Sequence, residues 1–131
     1  MTAGLSTSNV ANGWLNTLRN GSNFTAIATP FVKLHTGDPG SAGTSNASAE
    51  TTRKALTWSA ASAGSKAITS TLPQWASWAA GSETISHISV WDSTTAGNFL
   101  FSAALTASKS VTNGDTLNLT ALTFAFTPIA A

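Results

Sequence analysis

Short runs of alternating apolar residues, cut by turn sequences at close intervals, fill the chain from about residue 31 onward. In Phe31-Val32-Lys33-Leu34-His35, Val32 and Leu34 fall on one side of a strand and Lys33 and His35 on the other. Arg53 to Ser59 puts Leu56 and Trp58 on one face, and Ala67 to Leu72, closed by Pro73, adds a further strand. Thr84 to Asp92 is rich in β-branched residues and is expected at the centre of a sheet. Phe99, Phe101 and Leu105 alternate with polar or small residues, and Leu122, Phe124 and Phe126 alternate with Thr123, Ala125 and Thr127. Asp38-Pro39-Gly40-Ser41 has Pro second and Gly third, the grammar of a type II turn. Thr94 to Gly97 fits a hairpin turn, and Asn113-Gly114-Asp115 predicts a hairpin joining Val111 to Leu117. Residues 41–51 are small, polar and without pattern, which reads as an exposed loop. The fold these runs imply is mainly β, an antiparallel β-sandwich of about seven or eight short strands.

One helix precedes them. Val10, Trp14 and Leu18 recur at four-residue spacing and Leu15 widens the stripe, with Ser8 as N-cap and Asn20-Gly21 as a left-handed stop. Gly13 inside it costs about 1 kcal/mol relative to Ala, so the helix needs a surface to lean on. That surface is its own sheet in the simplest reading and a neighbouring subunit in the other. The expected organisation is one domain over 1–131, with residues 1–22 a helical segment and 23–131 the sandwich.

Composition limits the partners. Only 8% of residues are charged and the net charge is +1, against about 25% charged residues in an ordinary domain. There is no basic stripe for a phosphate backbone, so no nucleic-acid partner is expected. No apolar run approaches the ~18 residues that span a bilayer, and residues 1–5 carry no signal-like pattern. Low charge also weakens repulsion between copies and favours association. Cysteine is absent, so disulfides and thiolate metal sites are excluded.

Catalysis finds little footing. His35 and His87 each have an Asp near in sequence, Asp38 and Asp92, but no Gly-x-Ser-x-Gly elbow presents a nucleophile. Strand alternation turns Asp92 away from the face that carries His87 and Trp91. The five acids are scattered through turns without ligand spacing, which leaves no catalytic, metal or cofactor residue to nominate. Each His is expected to pack at a sheet face with its nitrogens hydrogen-bonded to backbone. Trp14, Trp58 and Trp91 sit on periodic apolar faces and read as core. Trp75 and Trp78, between Pro73 and Gly81, read equally as buried residues or as an exposed aromatic platform for sugar rings or another protein. The candidate interface residues are Val10, Trp14, Leu18, Trp75 and Trp78. Trp58 to Ile68 also lines up with Phe101 to Val111, suggesting a pair of similar hairpins or a shared Ser/Ala bias.

The ordered motifs Leu34-His35-Thr36-Gly37-Asp38-Pro39-Gly40, Thr52-Arg53-Lys54-Ala55-Leu56-Thr57-Trp58, Ile85-Ser86-His87-Ile88-Ser89-Val90-Trp91-Asp92, Phe101-Ser102-Ala103-Ala104-Leu105 and Asn113-Gly114-Asp115-Thr116-Leu117 resemble those of small virion proteins of tailed bacteriophages. Members of that group are labelled tail fibre or capsid decoration proteins. The resemblance runs from residue 31 to about residue 126 and leaves the helical segment outside. It implies a non-enzymatic structural protein of the virion, assembled in the host cytoplasm, with no cofactor. Its partners would be other capsid or tail proteins and copies of itself, a trimer being one closed form. Recognition of a host-surface glycan through Trp75 and Trp78 is the alternative.

Overall fold

The computed structural model describes residues 3–18, 24–69 and 71–126. Eight strands form antiparallel sheets: β1 (Phe31–His35), β2 (Lys54–Ala55), β3 (Ser65–Ala67), β4 (Gln74–Trp75), β5 (Glu83–Trp91), β6 (Phe99–Val111), β7 (Leu117–Asn118) and β8 (Thr123–Ala125). The main sheet has the order β2-β1-β5-β6, and β3-β8 and β4-β7 are two-stranded ribbons. β5 lies between β1 and β6, the central place its β-branched sequence predicts.

Register decides the two faces of the main sheet. Val32 pairs with Val90 and Leu34 with Ile88, so these four side chains point inward together. They form one core with Leu56, Ile85, Leu100 and Val111, closed by Trp75 and Leu117 from the β4-β7 ribbon and Val10 from the N-terminal helix. The ribbons and the helix supply the second layer against the sheet.

The opposite face carries Lys33, His35, Ser89 and Trp91. Residues 36–53 fold back over it; most of 41–51 is exposed and irregular, as expected, but the segment is anchored to the sheet rather than standing free of it. Thr36 N donates to Asn46 O and Ser48 N to Leu34 O, while Pro39, Gly43 and Ser48 are buried. Gly43, at φ 71, lies so close to the Phe99 ring that a Cβ there would overlap it. Gly40, at φ 73, takes the left-handed conformation that the turn at Asp38 requires. The Glu83 carboxylate accepts from Ser48 Oγ and Ala49 N, pinning the far end of the segment.

The helix departs from its sequence reading. A π-helical turn, Thr7–Ala11, runs into a short α-helix, α1 (Asn12–Asn16). Ser6 is the cap, its Oγ accepting from Asn9 N at 3.3 Å, while Ser8 lies inside the first turn. The wider π-turn and the early end at Asn16 break the four-residue stripe. Val10 is buried, whereas Leu15 and Leu18 are 66% and 87% exposed. The stop expected at Asn20-Gly21 lies outside the described residues. The helix leans on its own sheet: Ser6 N donates to Leu100 O, Ser102 N to Gly4 O, and Asn9 Nδ2 to Phe99 O.

Two further readings change. The turn at Asn113-Gly114 forms, with Asp115 Oδ2 accepting from Thr112 N, but it does not join a hairpin. Trp78 takes the place beside it, its N–H donating to Asp115 O and its carbonyl accepting from Gly114 N. β7 is thereby diverted to pair with β4. The two similar segments also fold differently. Trp58 to Ile68 is a tight hairpin turning at Ala63 and Gly64, both at positive φ, whereas Phe101 to Val111 is continuous within β6.

A candidate docking groove

Alternating aromatics on three elements converge at one end of the second layer. Lys66 pairs with Phe124 in the β3-β8 ribbon, which places both side chains on the same ribbon face. Phe124 packs at 5.2 Å between ring centres against Phe101 of β6. Trp14, carried in by α1, meets Phe24, Phe124 and Phe126 edge to face at 5.7, 5.8 and 5.1 Å. Trp58 tilts against Phe101 at 6.5 Å, and Lys66 Nζ lies over the Trp58 ring, 5.1 Å from its centre. Edge-to-face pairs are the geometry that ring quadrupoles favour.

These rings wall an open groove of about 640 Å³, floored by Val10, Leu56 and Leu100. Phe126 is half exposed at its rim. Among the described residues, Lys66 is its one charged wall residue, and the cation–π contact engages that charge. A surface of this kind gains by excluding water.

Of two Ser–His contacts in the main sheet, the one between His35 and Ser89 is sealed. His35 and Ser89 are both 0% exposed. His35 Nδ1 lies 2.8 Å from Ser45 O, an atom that can only accept, so Nδ1 carries the proton. His35 Nε2 must then accept from Ser89 Oγ at 2.7 Å, and Ser89 Oγ in turn accepts from Trp91 Nε1 at 2.8 Å. Donors and acceptors are matched along the whole chain of bonds, which runs from Trp91 to the backbone of the covering segment. The third member is thus a backbone carbonyl, where a hydrolytic triad has a carboxylate. Only one of the two ring nitrogens meets backbone, as expected; the other meets a side chain. His87 is partly buried, with Nδ1 2.9 Å from Ser86 Oγ.

Arg53 joins the outer face by another route. Its guanidinium stacks 4.1 Å above the Trp91 ring and donates to Ser93 O and Ala96 O, bracing the β5–β6 turn. Asp92 closes the same turn by accepting from Asn98 N and Asn98 Nδ2. Both Asp38 and Asp92 therefore serve turns; Asp38 Oδ1 accepts from Gly40 N. Among the described residues, no group of three His, Asp or Glu side chains is placed to hold a metal ion.

Burial within this relay sets a pH dependence. Desolvation holds the His35 imidazolium unfavourable, with Lys33 and His87 adding to the effect against opposing bonds from Ser45 and Asn46, so its pKa lies below the ordinary 6.5. The unfolded chain therefore takes up the proton first. Stability should be full above about pH 6.5 and fall as the pH drops below it, toward the folded-state pKa, by up to about 1.4 kcal/mol per pH unit. Urea midpoints between pH 7.5 and pH 5, where exposed carboxylates remain largely ionised, measure this; a His35→Gln variant should lose the slope.

The sequence profile of the family described as Podophage GP4 fiber I protein gp80 matches residues 4–127. The chain belongs to this family. It is a structural protein of a phage fibre, and hence a virion component. No curated protein matches it in sequence. The span shared with the podophage fibre family takes in the N-terminal helix, which the motif resemblance left outside.

Of the five nominated interface residues in this fibre protein, only Trp14 lines the groove with part of its surface open, and Val10 lies beneath it, 2% exposed. Leu18 stands free at the end of the helix. Trp75 and Trp78 resolve toward burial, at 3% and 2% exposure, with their indole N–H groups donating to Thr52 O and Gly81 O. Neither ring has a face to present to a sugar. The groove itself escaped the sequence reading because Trp58, Phe101, Phe124 and Phe126 alternate as core residues would. The available signal was an excess of rings: a two-stranded ribbon carrying Phe124, with Phe126 beside it, cannot cover them all.

Proposed function

We propose that this fibre protein is a non-catalytic accessory module of the podophage virion, seated on other capsid or tail proteins through the aromatic groove. The observation that supports this most is the groove itself: an open, ring-walled surface with one charged side chain, already held by Trp58. Such a surface contributes free energy by burial, about 25 cal/mol for each Å² of apolar area removed from water.

Sedimentation of the purified protein with phage particles that lack it is the direct test. The wild-type chain should pellet with the particles and Phe126→Ser should do so markedly less; a wild-type chain left in the supernatant overturns the reading. Copy number per intact particle then separates the two locations, a high number meaning capsid decoration and a low one the tail. Glycan recognition is the second reading. The buried Trp75 and Trp78 do not support it, and what favours it now is the Trp58 ring flanked by the hydroxyls of Thr57 and Ser59 in the groove wall. Quenching of tryptophan emission by cell-wall sugars, lost in Trp58→Ala, would establish it in place of protein docking.

A further inference from the structure

The groove has a matching plug on the same molecule. Among the described residues, the large apolar side chains most open to water are Leu18 at 87%, Leu15 at 66% and Phe126 at 51%. The first two stand on the turn that ends α1, and the third stands at the groove rim. Trp14, the residue next to Leu15, is itself a groove wall. The turn is ordered: Leu18 N donates to Leu15 O, and Thr17 Oγ1 donates to Trp14 O at 2.6 Å. Residues 7–18 contain no charged side chain and Arg19 follows directly, so the stretch up to Leu18 can leave water without stranding a charge as long as that guanidinium stays in solvent. The groove asks for a neutral apolar occupant, because its single cation is already over Trp58. At about 640 Å³ it falls within the range that encloses a drug-sized ligand, room enough for two aliphatic side chains.

We infer that the occupant is a second copy of this chain, whose helix tip inserts Leu15 and Leu18 into the groove beside Trp14, Phe124 and Phe126. This rests on the reading of the groove as a protein-docking surface and names its partner. A plug and a socket that are both apolar make the chain complementary to itself, and the low overall charge leaves little repulsion to oppose close approach. A partner of different composition would leave the two leucines exposed on every copy; self-insertion covers them.

Sedimentation velocity across a wide concentration range tests the idea. The wild-type chain should associate reversibly. The doubly substituted Leu15→Ser, Leu18→Ser chain and the Phe126→Ser chain should each associate at least about 100-fold more weakly, from the lost burial of large apolar side chains. All three positions are exposed, so the fold should survive, and circular dichroism with a urea midpoint confirms that. Mixing the two variants supplies one intact tip and one intact groove and should restore a heterodimer that neither forms alone. A wild-type chain monomeric throughout, variants that associate normally, or a mixture that stays monomeric each overturns the inference. Retained sedimentation with phage particles in any of those cases would show that docking on the virion stands without self-insertion.

Discussion

Trp78→Ala will lower the unfolding free energy by about 3–5 kcal/mol, the usual cost of emptying a buried tryptophan site. Trp78 is the largest of the fully buried side chains. Its backbone also carries the two hydrogen bonds that wedge residues 76–82 against the Thr112–Asp115 turn. Loss of the ring removes the apolar contact and leaves Gly81 O without its indole donor. In urea the midpoint should fall by 1 M or more for a slope of about 1–3 kcal/mol per M. A binding role for an exposed ring predicts the reverse: unchanged stability and a lost ligand. An unchanged midpoint would therefore contradict the burial described here.

Ser89→Ala should cost about 2–5 kcal/mol although it removes a single oxygen. That oxygen serves two buried partners, donating to His35 Nε2 and accepting from Trp91 Nε1. Each orphaned group carries a desolvation penalty of about 1–3 kcal/mol. His35 would also lose the bond that fixes its ring, while its Nδ1 still holds Ser45 O of the covering segment. Hydrogen exchange should thus quicken first at residues 36–48, before the rest of the sheet. A variant as stable as the parent, with unchanged exchange there, would show that the relay carries no stability.

How far these features could be read beforehand differs by element. β1, β5 and the first half of β6 were legible because one face of each is apolar and the other is not, and a slip of one residue would expose the whole set. The covering segment was not. It packs through Gly43 against Phe99 and through Ser48 to Glu83, contacts made by small and polar residues that leave no apolar period. The partner of β7 was illegible for a similar reason: local chemistry gives the turn at Gly114, but Trp78, thirty-six residues earlier, decides where the chain goes next. The helix misled because a π-turn adds a residue to its first turn, which four-residue spacing cannot register. Of the candidate site, Val10 and Trp14 were named beforehand and the rings from β6, β8 and the Trp58 hairpin were missed, since alternation marks a face as apolar without saying what covers it.

The pairing of Val32 with Val90 has a consequence for how the molecule comes into being. Those two neighbours in the main sheet lie 58 residues apart, and Leu5 and Phe101, which also bridge, are 96 apart. A nascent polypeptide leaving the ribosome cannot close this sheet until β5 has emerged, so its first ninety or so residues travel with bare strand edges. With so few charges to keep such intermediates apart, synthesis at high concentration should favour clumping, and a lower temperature or a holding chaperone should raise the yield of folded protein.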